Sequence, residues 1–136
     1  MKFRLNWVLI IDDDDASNFF TRMVLEESGY IRNIQIAESG TEALEYLKTA
    51  KKHNDVLPDL IFLDINMPGM NGWEFIEEYK KLDKELQSKI IVVMLATSDN
   101  PDHEMLAKTH NVVAGFRTKP LTQDMLENIM SKYFKD

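Results

Sequence analysis

Four short apolar runs punctuate the chain, at Trp7 to Ile11, Leu60 to Leu63, Ile90 to Leu95 and Val112 to Phe116, and a weaker one covers Ile34 to Ala37. The strong runs are nearly continuous rather than alternating. Strands buried on both faces read that way, because both sets of side chains meet a covering layer. Segments with helical period lie between them. Phe20, Met23 and Val24 share a face in the first, Ala43, Leu44, Leu47 and Ala50 in the second, and Leu126, Ile129, Met130 and Tyr133 in the last. Ser39 with Glu42, and Asn71 with Glu74, have capping-box spacing. Asn100 precedes Pro101 and an acidic first turn, and Thr122 stands where the last helix needs a cap.

A strand followed by a helix, five times over, predicts an α/β fold. The sheet should be parallel, with helices on both faces and right-handed crossovers. The 136 residues suit one domain, and a chain of that size buries roughly 68% of its unfolded surface without covalent staples. The absence of cysteine excludes disulfide scaffolds, thiolate zinc sites and thiol nucleophiles. No signal-peptide pattern is visible, and no apolar run approaches the roughly 20 residues that span a bilayer. The expectation is a cytoplasmic protein with no membrane partner. A formal charge of -7 argues against a nucleic-acid partner, since phosphate contacts need clustered Lys and Arg.

In open parallel sheets ligands sit beyond the carboxyl ends of the strands. Asp12-Asp13-Asp14-Asp15 follow the first run, and Glu38 and Ser39 the second. Asp64 follows the third, leading into Ile65-Asn66-Met67-Pro68-Gly69. Ala96, Thr97 and Ser98 follow the fourth, and Arg117-Thr118-Lys119-Pro120 the fifth. A parallel sheet gathers all of these at one end. Clustered carboxylates repel unless a cation is present. Magnesium satisfies such a site through one or two carboxylates and leaves room for phosphate oxygens. Asp12, Asp13 and Asp64 carry three negative charges; one Mg²⁺ and Lys119 carry three positive ones. A carboxylate can also attack phosphorus to form an aspartyl-phosphate. Asp64, alone at the end of an apolar strand, is the better nucleophile, and the adjacent Asp12 and Asp13 suit an ion. Asp14 and Asp15 read as helix-start residues.

Val8-Leu9-Ile10-Ile11-Asp12-Asp13-Asp14, Pro58 through Gly72, and Gly115-Phe116-Arg117-Thr118-Lys119-Pro120-Leu121 together resemble the receiver domain of two-component response regulators, over roughly Asn6 to Tyr133. The resemblance implies a flavodoxin-like (βα)5 fold with strand order 2-1-3-4-5, and one receiver domain over 1–136 with its core at about 6–134 and no output domain. It implies that Asp64 is phosphorylated by a histidine kinase or phosphotransfer protein. Mg²⁺ would be held by the side chains of Asp13 and Asp64, the backbone carbonyl of Asn66, and Asp12 through water. Lys119 would contact the phosphoryl group, and the Lys119–Pro120 bond would be cis. The chain would be a switch rather than an enzyme, remodelling the face of the fourth and fifth helices and fifth strand for a downstream protein partner.

The family places a Thr or Ser after the fourth strand, where it contacts the phosphoryl group. Counting back from Lys119 in the commonest spacing puts Thr97 there; aligning on Met94-Leu95 and Asn100-Pro101 puts Ala96 there. Thr97 is the reading adopted, with Ser98 as the next hydroxyl along. Phe116 takes the place of the switching aromatic, and Arg117 stands where an apolar residue is usual. Two rival readings remain: a degenerate receiver acting as an unphosphorylated scaffold, and a magnesium-dependent phosphohydrolase. Against the latter, Asn66 occupies the place of the acid-base Asp such enzymes carry two residues after the nucleophile. His53, His103 and His110 show no ligand spacing and are expected to be solvated. Trp73 and Phe75 are expected to pack.

Overall fold

The computed structural model of the chain describes residues 3–52, 57–82, 84, 90–97 and 101–134. Among them, strands and helices alternate as β1 (Leu5–Ile11), α1 (Asp15–Ser28), β2 (Ile31–Ala37), α2 (Gly40–Lys52), β3 (Leu60–Asp64), α3 (Gly72–Tyr79), β4 (Ile91–Ala96), α4 (Pro101–Thr109), β5 (Val113–Thr118) and α5 (Gln123–Tyr133). His53, Ser98 and Asn100 lie outside the described residues. The strands form one parallel sheet in the order β2-β1-β3-β4-β5, the flavodoxin-like arrangement expected from the sequence.

Alternation along each strand sends side chains to two apolar layers. Leu9, Ile11, Ile61, Leu63, Val92 and Met94 meet α2 and α3 through Leu44, Leu47, Phe75 and Ile76. Val8, Ile10, Leu60, Phe62, Val93 and Leu95 meet α1 and α5 through Val24, Leu25, Leu126, Ile129 and Met130. All five residues of β3 are buried, which is why its run lacks alternation. Each large aliphatic or aromatic side chain so buried contributes about 1.5–3 kcal/mol. β2, at the sheet edge, begins at Ile31, three residues before its apolar run, because its pairing with β1 starts at Leu5.

The caps follow the sequence closely. Asn71 and Glu74 form a reciprocal capping box on α3, and the Thr122 side chain accepts from the Met125 N–H. Ser39 Oγ accepts from the Glu42 N–H, but the Glu42 carboxylate accepts from Glu38 N–H rather than closing the box on Ser39.

Two expectations fail in detail. Phe20 and Met23 are exposed; the buried positions of α1 are Asn18, Thr21, Val24 and Leu25. Two of those four are polar, so an apolar stripe could not reveal them. His103 and His110 are not simply solvated either. Both rings lie 6.0 Å from Trp73, and His110 Nδ1 is 3.8 Å from Glu77. These aromatic contacts join α3 to α4 and to the turn that follows it.

The loop after β3 depends on two glycines. Gly69 has φ +76°, the left-handed region that favours glycine. At Gly72 a Cβ would lie 2.7 Å from the Asp64 carbonyl oxygen and 2.9 Å from Ile65 Cα, while the Gly72 N–H donates to the Ile65 carbonyl at 2.8 Å. α3 therefore starts in direct backbone contact with the residues at the end of β3. Gly72→Ala is expected to cost about 1–3 kcal/mol, since the atoms in the way are backbone. Gly69→Ala, with open space around it, should cost about 1–2 kcal/mol from its dihedral alone. Urea unfolding measures both, and a Gly72→Ala chain as stable as the parent would contradict the close approach.

Candidate functional site

The sheet order reverses between β1 and β3: the chain leaves β1 for β2 on one side and returns to β3 on the other. That switch point is where a parallel sheet opens a crevice, and Asp12 and Asp64 stand on its two sides. Asp12 directly follows β1, and its N–H continues the ladder to the Ala37 carbonyl. Asp64 is the last residue of β3, and the next amide, Ile65 N–H, donates to the Leu95 carbonyl. Both carboxylates are buried, at 3% and 4% exposure, while Asp13 is exposed. One carboxylate oxygen from each of Asp12, Asp13 and Asp64 falls within 4.8 Å of the others.

Asp12 is the most heavily held. Oδ1 accepts from Asp14 N–H at 3.0 Å, and Oδ2 accepts from Ser17 Oγ at 2.9 Å and from Lys119 Nζ at 2.6 Å. Its carbonyl accepts from Asn18 Nδ2 at 2.9 Å. Asp14 caps α1 through the Ser17 N–H, and Asp15 lies in the first turn, as expected for helix-start residues. Ser17 and Asn18 were not among the sequence candidates. Their signal was position only: the first turn of the helix that follows the acidic run faces back onto it.

Lys119 arrives from the end of β5. Its N–H donates to the Ala96 carbonyl at 2.6 Å, and the Lys119–Pro120 bond is cis. Its ammonium also lies 3.1 Å from Asp64 Oδ1. That contact is an ion pair without hydrogen-bond alignment, for Asp64 Oδ1 is buried with no donor among the described residues. The Lys119 ammonium is thus shared between the two buried carboxylates.

The electrostatics follow from this geometry. Burial raises the Asp64 pKa, and the neighbouring Asp12 charge raises it further; Lys119 opposes both and Asp13 adds a smaller push upward. Burial works against the Lys119 ammonium, but the hydrogen bond and charge of Asp12 and the charge of Asp64 outweigh it, so its pKa lies above the ordinary lysine value. Two carboxylate charges at this spacing repel by on the order of 3 kcal/mol at an effective dielectric of about 20. One ammonium against three carboxylates leaves a charge deficit of two. Hard oxygen donors, a buried oxygen without a donor and that deficit fit a divalent cation of the magnesium type.

Other sequence candidates lie around this centre. Asn66 is exposed in the loop after Asp64. Ala96 is the last, buried residue of β4, with its methyl in the α2/α3 layer; Thr97 follows it off the strand and is exposed. Phe116 pairs with Met94 and packs against the α2/α3 layer, half-buried. Arg117 Nη2 donates to Asn128 Oδ1 on α5 at 2.9 Å.

The raised Asp64 pKa has a consequence for stability. Between the unfolded and folded titrations the folded state binds more protons, so stability falls as pH rises through the folded-state value. The contribution is complete below the unfolded carboxyl pKa, about 3.9, and is lost above the raised folded-state value. Asp64→Asn should therefore melt higher than the parent at pH 7 in EDTA, with the gap closing toward pH 4. Equal melting temperatures at both pH values would contradict this.

The family model for the response regulator receiver domain matches residues 8–131. A two-component response regulator from Cytophaga hutchinsonii superposes with a TM-score of 0.89 at 34% identity, covering 94% of this chain and 96% of that one. The chemotaxis protein CheY-3 of Vibrio cholerae is 28% identical over 128 residues, or 94% of this chain and 91% of CheY-3. The Mn²⁺-bound form of the response regulator Rcp1 has a TM-score of 0.74 at 27% identity, covering 95% and 94%. With the family's match spanning both carboxyl-end acids and the lysine that joins them, the chain belongs to the response regulator receiver domains of two-component systems.

Proposed function

We propose that the chain is a phosphoacceptor switch in which Asp64 takes a phosphoryl group from a histidine kinase or phosphotransfer protein. The observation that carries this reading is the state of Asp64 Oδ1: buried, without a donor, at the end of the central strand, and 3.1 Å from an ammonium. A carboxylate held at a strand end with an ammonium beside it can act as a nucleophile toward phosphorus while the cation offsets the charge that gathers there. In the step itself the Asp64 oxygen forms a P–O bond as the bond from phosphorus to the donor nitrogen breaks. That electron pair leaves with the imidazole.

Phosphoryl transfer asks the protein for alignment and for charge at the equatorial oxygens. Lys119 supplies a positive charge already held between Asp12 and Asp64. Mg²⁺ would be held by the Asp13 and Asp64 side chains and the Asn66 carbonyl, with Asp12 reaching it through water. When bound, it offsets the charge of the carboxylates and of the phosphoryl oxygens. That the similar response regulator Rcp1 has a Mn²⁺-bound form supports a divalent cation here. Thr97, exposed directly beyond the strand end that Lys119 N–H grips, would supply the hydroxyl that reads the phosphoryl group. The neighbouring Ala96 has no polar atom to offer. A protein donor has a surface to cover beside the site, since Phe19, Phe20 and Met23 on α1 expose apolar area.

Phosphorylation can shift a two-state balance only through contacts that differ between the states. Here those contacts are Lys119 and Thr97 at one end and Phe116 on the same strand as Lys119. The result is a changed face made by α4, β5 and α5, presented to a downstream protein.

Incubation with acetyl phosphate and Mg²⁺ should add the mass of one phosphoryl group. EDTA or Asp64→Asn should abolish the adduct, and an adduct that survives Asp64→Asn would sink the assignment. Thr97→Ala should still label but lose the phosphorylation-dependent change in the Phe116 ring resonances. A full response in Thr97→Ala would remove that hydroxyl from the switch.

A further inference from the structure

An ionised carboxylate offers about four acceptor positions, and on Asp12 three of them are filled. Asp14 N–H takes one on Oδ1; Ser17 Oγ and Lys119 Nζ take two on Oδ2, at 2.9 and 2.6 Å. Asp12 is buried, so a donor withdrawn from it is not readily replaced by water. We infer that Ser17 is a positioning residue for phosphoryl transfer: its hydroxyl stays on Asp12 Oδ2 while the Lys119 ammonium turns to the phosphoryl group on Asp64. This role rests on the phosphoacceptor reading for the step it serves, while the hydrogen bonds to Asp12 stand without it.

The local sequence fixes that hydroxyl. Asp14 caps α1 by accepting from the Ser17 N–H at 2.9 Å, so Ser17 stands in the first turn. A serine inside a helix often turns its hydroxyl back to a carbonyl of the preceding turn. Here it reaches the Asp12 side chain instead. The next residue is held from both ends: Asn18 N–H donates to the Asp14 carbonyl at 3.0 Å, and Asn18 Nδ2 to the Asp12 carbonyl at 2.9 Å. Ser17 Oγ is thus set between two anchored residues and needs no rearrangement to keep its bond. A donor already in place costs nothing at the moment of reaction.

Lys119 is held differently. Its backbone is tied to the Ala96 carbonyl, and its ammonium lies closer to Asp12, at 2.6 Å, than to Asp64, at 3.1 Å. A phosphoryl group brings a charge of about −2. To meet it the ammonium gives up part of its hold on Asp12. With Ser17 present, Oδ2 keeps a donor as the ammonium turns. Without the hydroxyl, Lys119 is the sole donor among the described residues on that buried oxygen, and leaving it costs more. The hydroxyl therefore matters most where the ammonium has already turned, in the transition state and in the phosphorylated chain. An interaction that counts only there changes the rate and leaves the affinity for the phosphoryl donor alone.

The test is labelling by acetyl phosphate with Mg²⁺, followed by intact mass. In that reaction the Asp64 oxygen bonds to phosphorus as the bond from phosphorus to the acetyl oxygen breaks, and the electron pair leaves with acetate. Ser17→Ala should slow labelling about tenfold, the worth of one hydrogen bond to a charged group. The acetyl phosphate concentration that gives half the maximal rate should stay the same. Ser17→Thr, which keeps the hydroxyl, should restore the rate. The ε-methylene resonance of Lys119 should move on phosphorylation of the parent and of Ser17→Thr, but little in Ser17→Ala. Alanine is the better helix former, so Ser17→Ala folds, and urea unfolding checks that it does. A Ser17→Ala chain that labels at the parent's rate, with Lys119 moving as in the parent, assigns the hydroxyl to structure alone and overturns the role. A Ser17→Thr chain as slow as Ser17→Ala overturns it too. A parent that takes no phosphoryl group overturns the phosphoacceptor reading, and the role of Ser17 falls with it. A parent that labels at Asp64 beside an equally fast Ser17→Ala chain removes the role of Ser17 only.

Discussion

One ammonium holds two buried carboxylates together where the ends of three strands meet. Lys119 Nζ lies 2.6 Å from Asp12 and 3.1 Å from Asp64, and neither acid tolerates burial beside the other without it. The partners are far apart in the chain: Asp12 and Lys119 are separated by 107 positions. The lysine reaches them only if β5 lies on the far side of β4 and its end is tied to Ala96. The site therefore constrains the fold as much as the fold builds the site, and the cost of its like charges is what a metal and a phosphoryl group can act upon.

Much of this was legible because the physics that writes the sequence is local. The β3 run is wholly apolar because both faces of the central strand are covered, and its abrupt end at Asp64 marks the sheet boundary. The caps at Asn71 and Thr122 are read from residues three positions apart. Asp12, Asp13 and Asp64 follow from the rule that chemistry gathers at one end of a parallel sheet, and their oxygens do converge.

What was not legible depends on contacts between distant elements. The inner positions of α1 include the polar Asn18 and Thr21. Asn18 donates to the Asp12 carbonyl, so its burial serves the site. Counting apolar residues at helical spacing instead selected Phe20 and Met23, which face solvent. The histidines mislead for a similar reason. His103 and His110 are distant from Trp73 in sequence and meet it only after α4 returns across the sheet edge. Neither error lies in the periodicity itself. Both arise where a polar or aromatic contact decides which face is inside.

The proposed role of Thr97 rests on what the end of β4 leaves to Ala96 and to Thr97. Ala96 ends the strand with its methyl in the α2/α3 layer and its carbonyl engaged by Lys119 N–H. Both the side chain and the carbonyl of Ala96 are therefore committed to structure. Thr97 is the first residue released from those constraints, and it leaves the sheet beside the Lys119 backbone. A hydroxyl free to turn and a backbone anchored one residue away are what a reversible contact needs. Phe116, on the strand that carries Lys119, packs half-buried against the same layer as Ala96. On the proposed reading, a charge added at Asp64 draws on Lys119 and Thr97 together. Lys119 is fastened to the end of β4 through the Ala96 carbonyl, and Thr97 is the next residue along. Arg117 lies on β5, paired with Leu95 and tied to α5 through Asn128. Arg117 thus joins β4, whose end adjoins the acidic centre, to α5.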